Sequence, residues 1–151
     1  MLDWEHEGLR ETLASLERAG IATAGAGPNL AAARAPASVP LGNGKRLLVF
    51  AFGSDTSGIP ASWAAGAERA GVNLLPSLTP AAADAVAALI AAWRQRGDIV
   101  LVSIHWGSNW GYEIPPAQTQ FAHRLIDSGC VDLIHGHSSH HRAASRSTAS
   151  G

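Results

Sequence analysis

Three short apolar segments alternate with segments of helical periodicity from residue 45 onward, and this alternation limits the choice of fold. The apolar segments are KRLLVFAFGS at 45–54, DIVLVSIHWG at 98–107 and VDLIHGH at 131–137. Strands that follow one another through helices form βαβ units, in which the strands are parallel and helices cover the sheet. The sequence therefore predicts an α/β fold, a layered sheet with helices on its faces. We also expect the strand at 45–54 to be buried on both sides.

The helices carry their own start and stop signals. The segment 3–20 has leucines at helical spacing and ends at Gly20, and the segment 77–98 begins with Thr79 as N-cap followed by proline. A further helix is predicted in 115–129. The residues predicted to face inward from the last two helices are Val86, Leu89, Ile90, Trp93, Phe121, Leu125 and Ile126. A Gly-Asn-Gly hairpin turn, a short strand in 21–27 and a brief helix in 28–36 complete the prediction.

Charge and cysteine content narrow the classes of partner. Eleven basic residues against twelve acidic ones give a net charge of −1, without the dense Lys/Arg run of a nucleic-acid-binding protein. No apolar run approaches the roughly 20 residues of a membrane span, and the acidic start is unlike a signal peptide, so we expect a cytoplasmic location. Cys130 is the only cysteine, which excludes a cysteine-based zinc cage. A metal here would need histidine and oxygen ligands.

Histidines cluster where two predicted strands end. His105 closes one strand, and the stretch VDLIHGHSSHH at 131–141 contains His135, His137, His140 and His141. In parallel α/β sheets ligands bind at the carboxyl ends of strands, and neutral imidazole is the commonest nitrogen ligand of divalent metals. The sequence therefore predicts a metal-centred hydrolytic site, with His137 and His140 as the strongest candidates for ligands.

Other interpretations stay open for several of these residues. His105 lies beside a tryptophan, and such a histidine on an apolar strand, taken alone, is more often a hydrogen-bonded core residue than a ligand. His135 precedes the loop and either supports the ligands or packs in the strand, and His141 is a ligand, a neighbour of the ligands or a bystander. Asn109, Tyr112 and Glu113 belong to a loop that either contacts substrate or covers the sheet edge with its aromatic rings.

A bridging carboxylate, which a two-metal site requires, is missing from the expected place. Asp98 and Asp132 stand at the amino ends of their strands, on the opposite edge of the sheet. Asp55 is the one acid at a carboxyl end. It lies among Ser54, Thr56 and Ser57, whose hydroxyl groups suit an anion site, although such loops are usually only turns. The predicted site is therefore incomplete.

This sequence resembles the bacterial capsule-synthesis CapA family, also called poly-gamma-glutamate synthesis proteins, within the calcineurin-like metallophosphoesterase superfamily. The resemblance lies in the segments GLRETLASLERAGIATAGAGPNLAAARAP, KRLLVFAF and 98–141. Its most specific pieces are His-Trp-Gly at 105–107, Pro-x-Gln-x-x-x-Ala-His at 116–123 and Gly-His-x-x-His at 136–140. The resemblance implies that His105, His137 and His140 hold one or two divalent cations (Mn, Fe, Zn or Mg). It also implies a partial metallophosphoesterase-like αββα domain over 1–141, followed by a flexible tail at 142–151.

Some motifs of the family are missing from this sequence, and their absence lowers the activity that we expect of this chain. The family's Asn-Asn-His motif and its earlier Gly-Asp strand have no counterpart, so the chain is interpreted as a fragment of a larger domain with weak metal binding and little turnover. An exposed sheet edge predicts oligomerisation. The implied partner is a phosphate ester or a polyanionic polymer. The alternative is a non-catalytic binding component of capsule polymer synthesis or export, or a degenerate fragment, and no catalytic residue is assigned.

Overall fold

A computed structural model describes residues 4–138 and residue 140, which form a layered α/β arrangement. The helices are α1 (Glu5–Arg18), α2 (Leu30–Arg34), α3 (Pro80–Ala91) and α4 (Pro116–Asp127). The strands are β1 (Ala26–Gly27), β2 (Ala37–Gly42), β3 (Lys45–Ser54), β4 (Gly71–Val72), β5 (Leu74–Leu75), β6 (Ile99–His105) and β7 (Leu133–His137). The predicted α/β class is confirmed, as expected for part of a metallophosphoesterase-like domain. His141 and the predicted tail at 142–151 lie outside the described residues.

The main sheet is mostly parallel, as the alternation of strands and helices predicts. Its strand order is β2-β3-β6-β7, with β3, β6 and β7 parallel, and β5 pairs in parallel with the last residues of β3. Strand β2 is antiparallel to β3 through a tight turn. Asn43 and Gly44 both have positive φ, 51° and 74°, which is the backbone that a two-residue hairpin turn of this type requires. The predicted hairpin is confirmed.

The hydrophobic core lies on one face of this sheet. Alternate side chains of β3 and β6 point into it, and α3 and α4 pack over them. The largest fully buried side chains are Leu48, Phe50, Ile90, Val100, Val102, Ile104, Phe121 and Leu125. Period-two burial of this kind means that each strand contributes every second residue to the core.

Burial of β3 on both faces was a wrong expectation for the described part of the chain. Val49 and Leu101, on the face opposite the core, are only half-buried, and Leu133 is 54% exposed. That face carries apolar residues too, so a continuous apolar run forms in the sequence whether or not anything covers it. The segment around Gly25 contacts this face at Ala51, since a Cβ added at Gly25 would meet Ala51.

Two details of the helices differ from the sequence prediction. Helix α1 forms as expected, but none of its described residues is buried. Helix α3 ends at Ala91, before the predicted stop, and Trp93 is 45% exposed and does not face the core. Beyond the last helical residue the 3.6-residue period no longer sets the direction of a side chain. None of the helices between residues 4 and 140 is long and apolar enough to cross a bilayer.

Ion pairs lie at the amino ends of the central strands, where Asp98 and Asp132 were expected. Arg46 donates to the Asp98 carboxylate, with 3.0 Å between Nε and Oδ1, and the Gln95 backbone N–H also donates to it. Asp132 accepts from Arg94 and from the backbone N–H of the first core residue of β6. Both carboxylates therefore stabilise strand starts at the edge opposite the histidines.

The Arg46–Asp98 pair predicts how stability depends on acid. Hydrogen bonds from Arg46 and from the Gln95 backbone hold the pKa of Asp98 below its ordinary value of 3.8. A carboxyl group with a depressed pKa in the folded state stabilises the fold above its unfolded pKa, and the contribution is lost as the pH falls through the folded pKa. Below about pH 4 we therefore expect the urea midpoint of the wild type to fall more steeply than that of Asp98→Asn.

Urea denaturation at several pH values between neutral and about pH 3 would measure this difference in urea midpoint. Asp98→Asn should be the less stable protein at neutral pH, and the gap should narrow in acid. Asp127→Asn, which alters an exposed carboxyl group at the end of α4, serves as the control and should follow the wild type. A gap between wild type and Asp98→Asn that is the same at every pH would contradict the prediction.

Candidate metal centre

The parallel register brings two histidines face to face at the carboxyl edge of the sheet. His105 is the last residue of β6 and His137 the last of β7, and the two are direct partners in the strand pairing. Their Nδ1 atoms lie 3.1 Å apart, and their ring centroids lie 4.9 Å apart. Both rings project from the sheet face opposite the core, because every second residue of β6 and β7 shares that side.

The spacing of the two nitrogens fits a shared cation. Two imidazole nitrogens bound about 2.0–2.1 Å from one metal, at angles between square and tetrahedral, are separated by about 2.9–3.4 Å. The observed 3.1 Å lies in that interval. It is also a hydrogen-bond distance, so that one ring can donate its N–H to the other when no cation is bound. His105 and His137 therefore fit two positions in the coordination sphere of a divalent metal.

The local electrostatics favour the neutral form that binds metal. Partial burial lowers the pKa of His105 below its ordinary value of 6.5. The pKa of His137 is also lowered, first by burial and then by the charges that His105 and His135 acquire on protonation. At neutral pH both rings therefore keep a nitrogen lone pair available, which protonation would remove.

His135 lies behind His137 on the same face of β7. The two rings are stacked with centroids 5.3 Å apart, and the Ser103 hydroxyl lies 3.4 Å from Nδ1 of His135. The row of three imidazoles follows from the register, since Ser103 pairs with His135 as His105 pairs with His137. His135 therefore packs against the ring of a ligand candidate, and a role in supporting the ligands stays a prediction.

His140 takes a different place from the other two predicted ligands. Its backbone N–H donates to the Asn109 carbonyl oxygen at 3.0 Å, and its ring meets the Trp110 ring edge-on at 5.4 Å. Within residues 4–138 and residue 140, no three His, Cys, Asp or Glu side chains are grouped closely enough to hold a metal. A ligand role for His140 stays a prediction.

The loop after β6 presents one partly buried and two exposed aromatic residues. Trp106 packs edge-on against Phe121, with ring centroids 6.1 Å apart, and so covers the sheet edge. Trp110 and Tyr112 are 72% and 78% exposed, and Asn109 and Glu113 are exposed beside them. The covering role considered for these aromatic residues therefore applies to Trp106, whereas the side chains at the tip of the loop are exposed.

Gly136 makes room for Trp106 beneath the histidine pair. A Cβ added at Gly136 would lie 2.5 Å from Nε1 of Trp106, closer than real contacts allow. The Trp106 backbone N–H also donates to the His137 carbonyl oxygen at 3.0 Å. In the Gly-His sequence at 136–137, the glycine thus lets the Trp106 indole come close to β7, and the histidine is the ligand candidate.

The Gly136→Ala variant should consequently be less stable than the wild type by about 1–3 kcal/mol, the usual cost of an overpacked site. Urea denaturation at neutral pH would measure this loss. Gly66→Ala is a matched control, because an added Cβ there would come no closer than 3.4 Å to Arg69. Equal losses in the two variants would show that the contact with Trp106 is not the cause.

The loop after β3 forms a turn whose hydroxyl groups bond to protein atoms. The Ser54 hydroxyl accepts from the Thr56 backbone N–H at 3.3 Å, as in a helix cap. Thr56 and Ser57 in turn bond to the backbone at the end of β6. Sequence reasoning missed these contacts, although a run of hydroxyl residues directly after a buried strand was the available signal. Asp55 is exposed in this turn.

Taken together, parallel strands that end in paired histidines define a layered α/β protein with a candidate metal centre. The chain belongs to the family described as bacterial capsule synthesis protein PGA_cap, which matches residues 1–148. The predicted likeness to the CapA family is thereby confirmed.

Individual relatives agree with this assignment. The chain is 49% identical over 144 residues to a protein of Mycobacterium tuberculosis named "Probable polyglutamine synthesis accessory protein", covering 93% of this chain and 37% of the relative. It is 29% identical over 139 residues to the "PGA biosynthesis protein CapA" of Bacillus subtilis, covering 92% of this chain and 34% of the relative. The chain therefore spans about a third of the length of these relatives.

Proposed function

We propose that this chain supplies part of the metal centre of a CapA-like, metal-dependent phosphoesterase-type hydrolase that acts in capsule or poly-gamma-glutamate synthesis. The observation that carries the proposal is the 3.1 Å separation of the His105 and His137 nitrogens at adjacent strand ends. The family and the printed names of its relatives support the polymer context. The site is incomplete within the described residues, so weak metal binding and slow turnover are the behaviour expected of this chain alone.

The residues of the site have separate tasks in this proposal. His105 and His137 hold the cation through neutral rings, and His135 keeps the His137 ring in place by stacking on it. A divalent cation held there would supply the positive charge that activates water and stabilises the negative charge on the phosphoryl oxygens. Trp106, which follows His105, packs edge-on against Phe121 and so anchors the end of β6 to the core.

Hydrolysis of p-nitrophenyl phosphate in the presence of Mn²⁺ tests the proposal. We expect slow hydrolysis that a chelator stops and that His105→Ala and His137→Ala both lose. His123→Ala, which changes an exposed histidine on α4, should keep the wild-type rate. Hydrolysis by His137→Ala at the wild-type rate would contradict the proposal.

A second candidate function is a non-catalytic module that binds capsule polymer. The exposed Trp110 and Tyr112 side chains in the loop after β6 favour it, because large exposed aromatic side chains are common in recognition surfaces. Binding of poly-gamma-glutamate to the chain, measured by calorimetry with and without chelator, separates the two candidates. Binding that survives the chelator and is weakened by Trp110→Ala would favour the module, and binding that needs metal would favour the hydrolase.

A further inference from the structure

Two hydroxyl groups from the turn after β3 bond to the backbone at the end of β6. The single hydrogen of the Ser57 hydroxyl is shared between two carbonyl oxygens, that of Ser54 at 2.7 Å and that of His105 at 3.1 Å. The Thr56 hydroxyl accepts from the Gly107 backbone N–H at 3.1 Å. These contacts span about fifty residues of sequence and join the turn after β3 to the backbone on both sides of Trp106.

The contacts occur at the point where the chain leaves the sheet. Gly107 has a φ of +82°, so the backbone turns away sharply there. Strand β7 holds the other side, since the Ser138 hydroxyl donates to the Gly107 carbonyl oxygen at 3.0 Å and the Trp106 N–H donates to the His137 carbonyl oxygen. The segment 105–107 is therefore held from both neighbouring strand ends.

Neither hydroxyl group is hydrogen-bonded to the ring of His105 or His137, so any effect on this pair passes through the backbone. The last residue of a strand lacks the continuing ladder that fixes its neighbours, and its side-chain direction depends on how the next peptide units are oriented. Hydrogen bonds to the His105 carbonyl group and to the Gly107 N–H set that orientation. Partners that orient metal ligands in this way commonly change metal affinity by about 10–100-fold when they are removed.

We propose that Thr56 and Ser57 are positioning residues of the metal centre, which fix the 105–107 backbone so that the His105 and His137 nitrogens meet at the separation a shared cation requires. The proposal rests on the proposed function for its metal-binding consequence. Its structural consequence, the meeting of the two rings, holds without metal.

Paired substitutions separate a positioning role from a merely structural one. Thr56→Val removes a hydroxyl group at nearly unchanged side-chain volume, and Ser57→Ala removes one with a small loss of volume. Thr56→Ser keeps the hydroxyl group. Ser128→Ala is the control, because its hydroxyl donates to the Leu125 carbonyl oxygen at the end of α4. Zn²⁺ binding measured by calorimetry should weaken about 10-fold in Thr56→Val and in Ser57→Ala. Thr56→Ser and Ser128→Ala should bind as the wild type does.

A metal-free readout keeps the test decisive. At one fixed pH, the imidazole ¹⁵N signals of His105 and His137 should change together in Thr56→Val and Ser57→Ala, whereas those of His123 should not. Unchanged ring signals in both variants would overturn the proposal. If the wild type binds no Zn²⁺, the proposed function fails, and the ring signals alone then decide whether Thr56 and Ser57 position His105.

Discussion

His105→Ala and His137→Ala are each expected to bind Zn²⁺ at least about 100-fold more weakly than the wild type. Loss of a direct ligand should exceed the 10–100-fold cost of removing a residue that only orients one. The two variants should behave alike, because the rings meet at 3.1 Å and would share one cation. The two losses should also not add, since one remaining imidazole cannot hold the metal alone.

Calorimetric titration at neutral pH, where both rings are neutral, would measure these affinities. His123→Ala is the control, because His123 is exposed on α4. Should His137→Ala keep the wild-type affinity, the cation would be held elsewhere. Should only one of the two variants lose affinity, the shared site would be wrong even though the other histidine remains a ligand.

Phe121→Ala is expected to destabilise the chain by about 3–5 kcal/mol, the usual cost of emptying a large core site. Phe121 is fully buried and projects from α4 into the core that α3 and the sheet share. It also supports Trp106, whose ring meets it edge-on. A loss of this size is a large share of the roughly 5–15 kcal/mol that usually holds a domain together.

Urea denaturation would measure this loss as a lower midpoint at unchanged slope. Phe121→Leu leaves a smaller cavity and should cost clearly less. Trp110→Ala, a change on the exposed loop tip, should alter the stability by no more than about 0.5 kcal/mol. Equal midpoints for Phe121→Ala and Trp110→Ala would mean that the described core does not carry the stability of the chain.

The elements of the fold were predictable where local chemistry decides them. Thr79 caps α3 by accepting from the Ala82 N–H, as its place before Pro80 predicts, and Asn43 and Gly44 form the hairpin turn. Burial on the second face of β3 was not predictable, since an apolar run does not record whether another layer covers it. The exposure of Trp93 depends on where α3 ends, and helix ends are the least certain part of a periodic pattern.

The candidate site was predictable in part for a similar reason. Histidines at the ends of parallel strands must reach the same edge of the sheet, which is why His105 and His137 were expected to meet. Their partners come from a more distant part of the chain: Thr56 and Ser57 reach the end of β6 across about fifty residues. His140 lies beside Trp110 because the two loops bond to each other, and no spacing rule in the sequence predicts such a contact.

The most direct test of the central claim, that His105 and His137 share one divalent cation, is an NMR titration of the ¹⁵N-histidine-labelled chain with Zn²⁺ at neutral pH. We expect the Nδ1 signals of His105 and His137 to shift together along one binding curve, while those of His6 and His123 stay in place. Signals of His105 and His137 that shift at different metal ratios, or not at all, would contradict the claim.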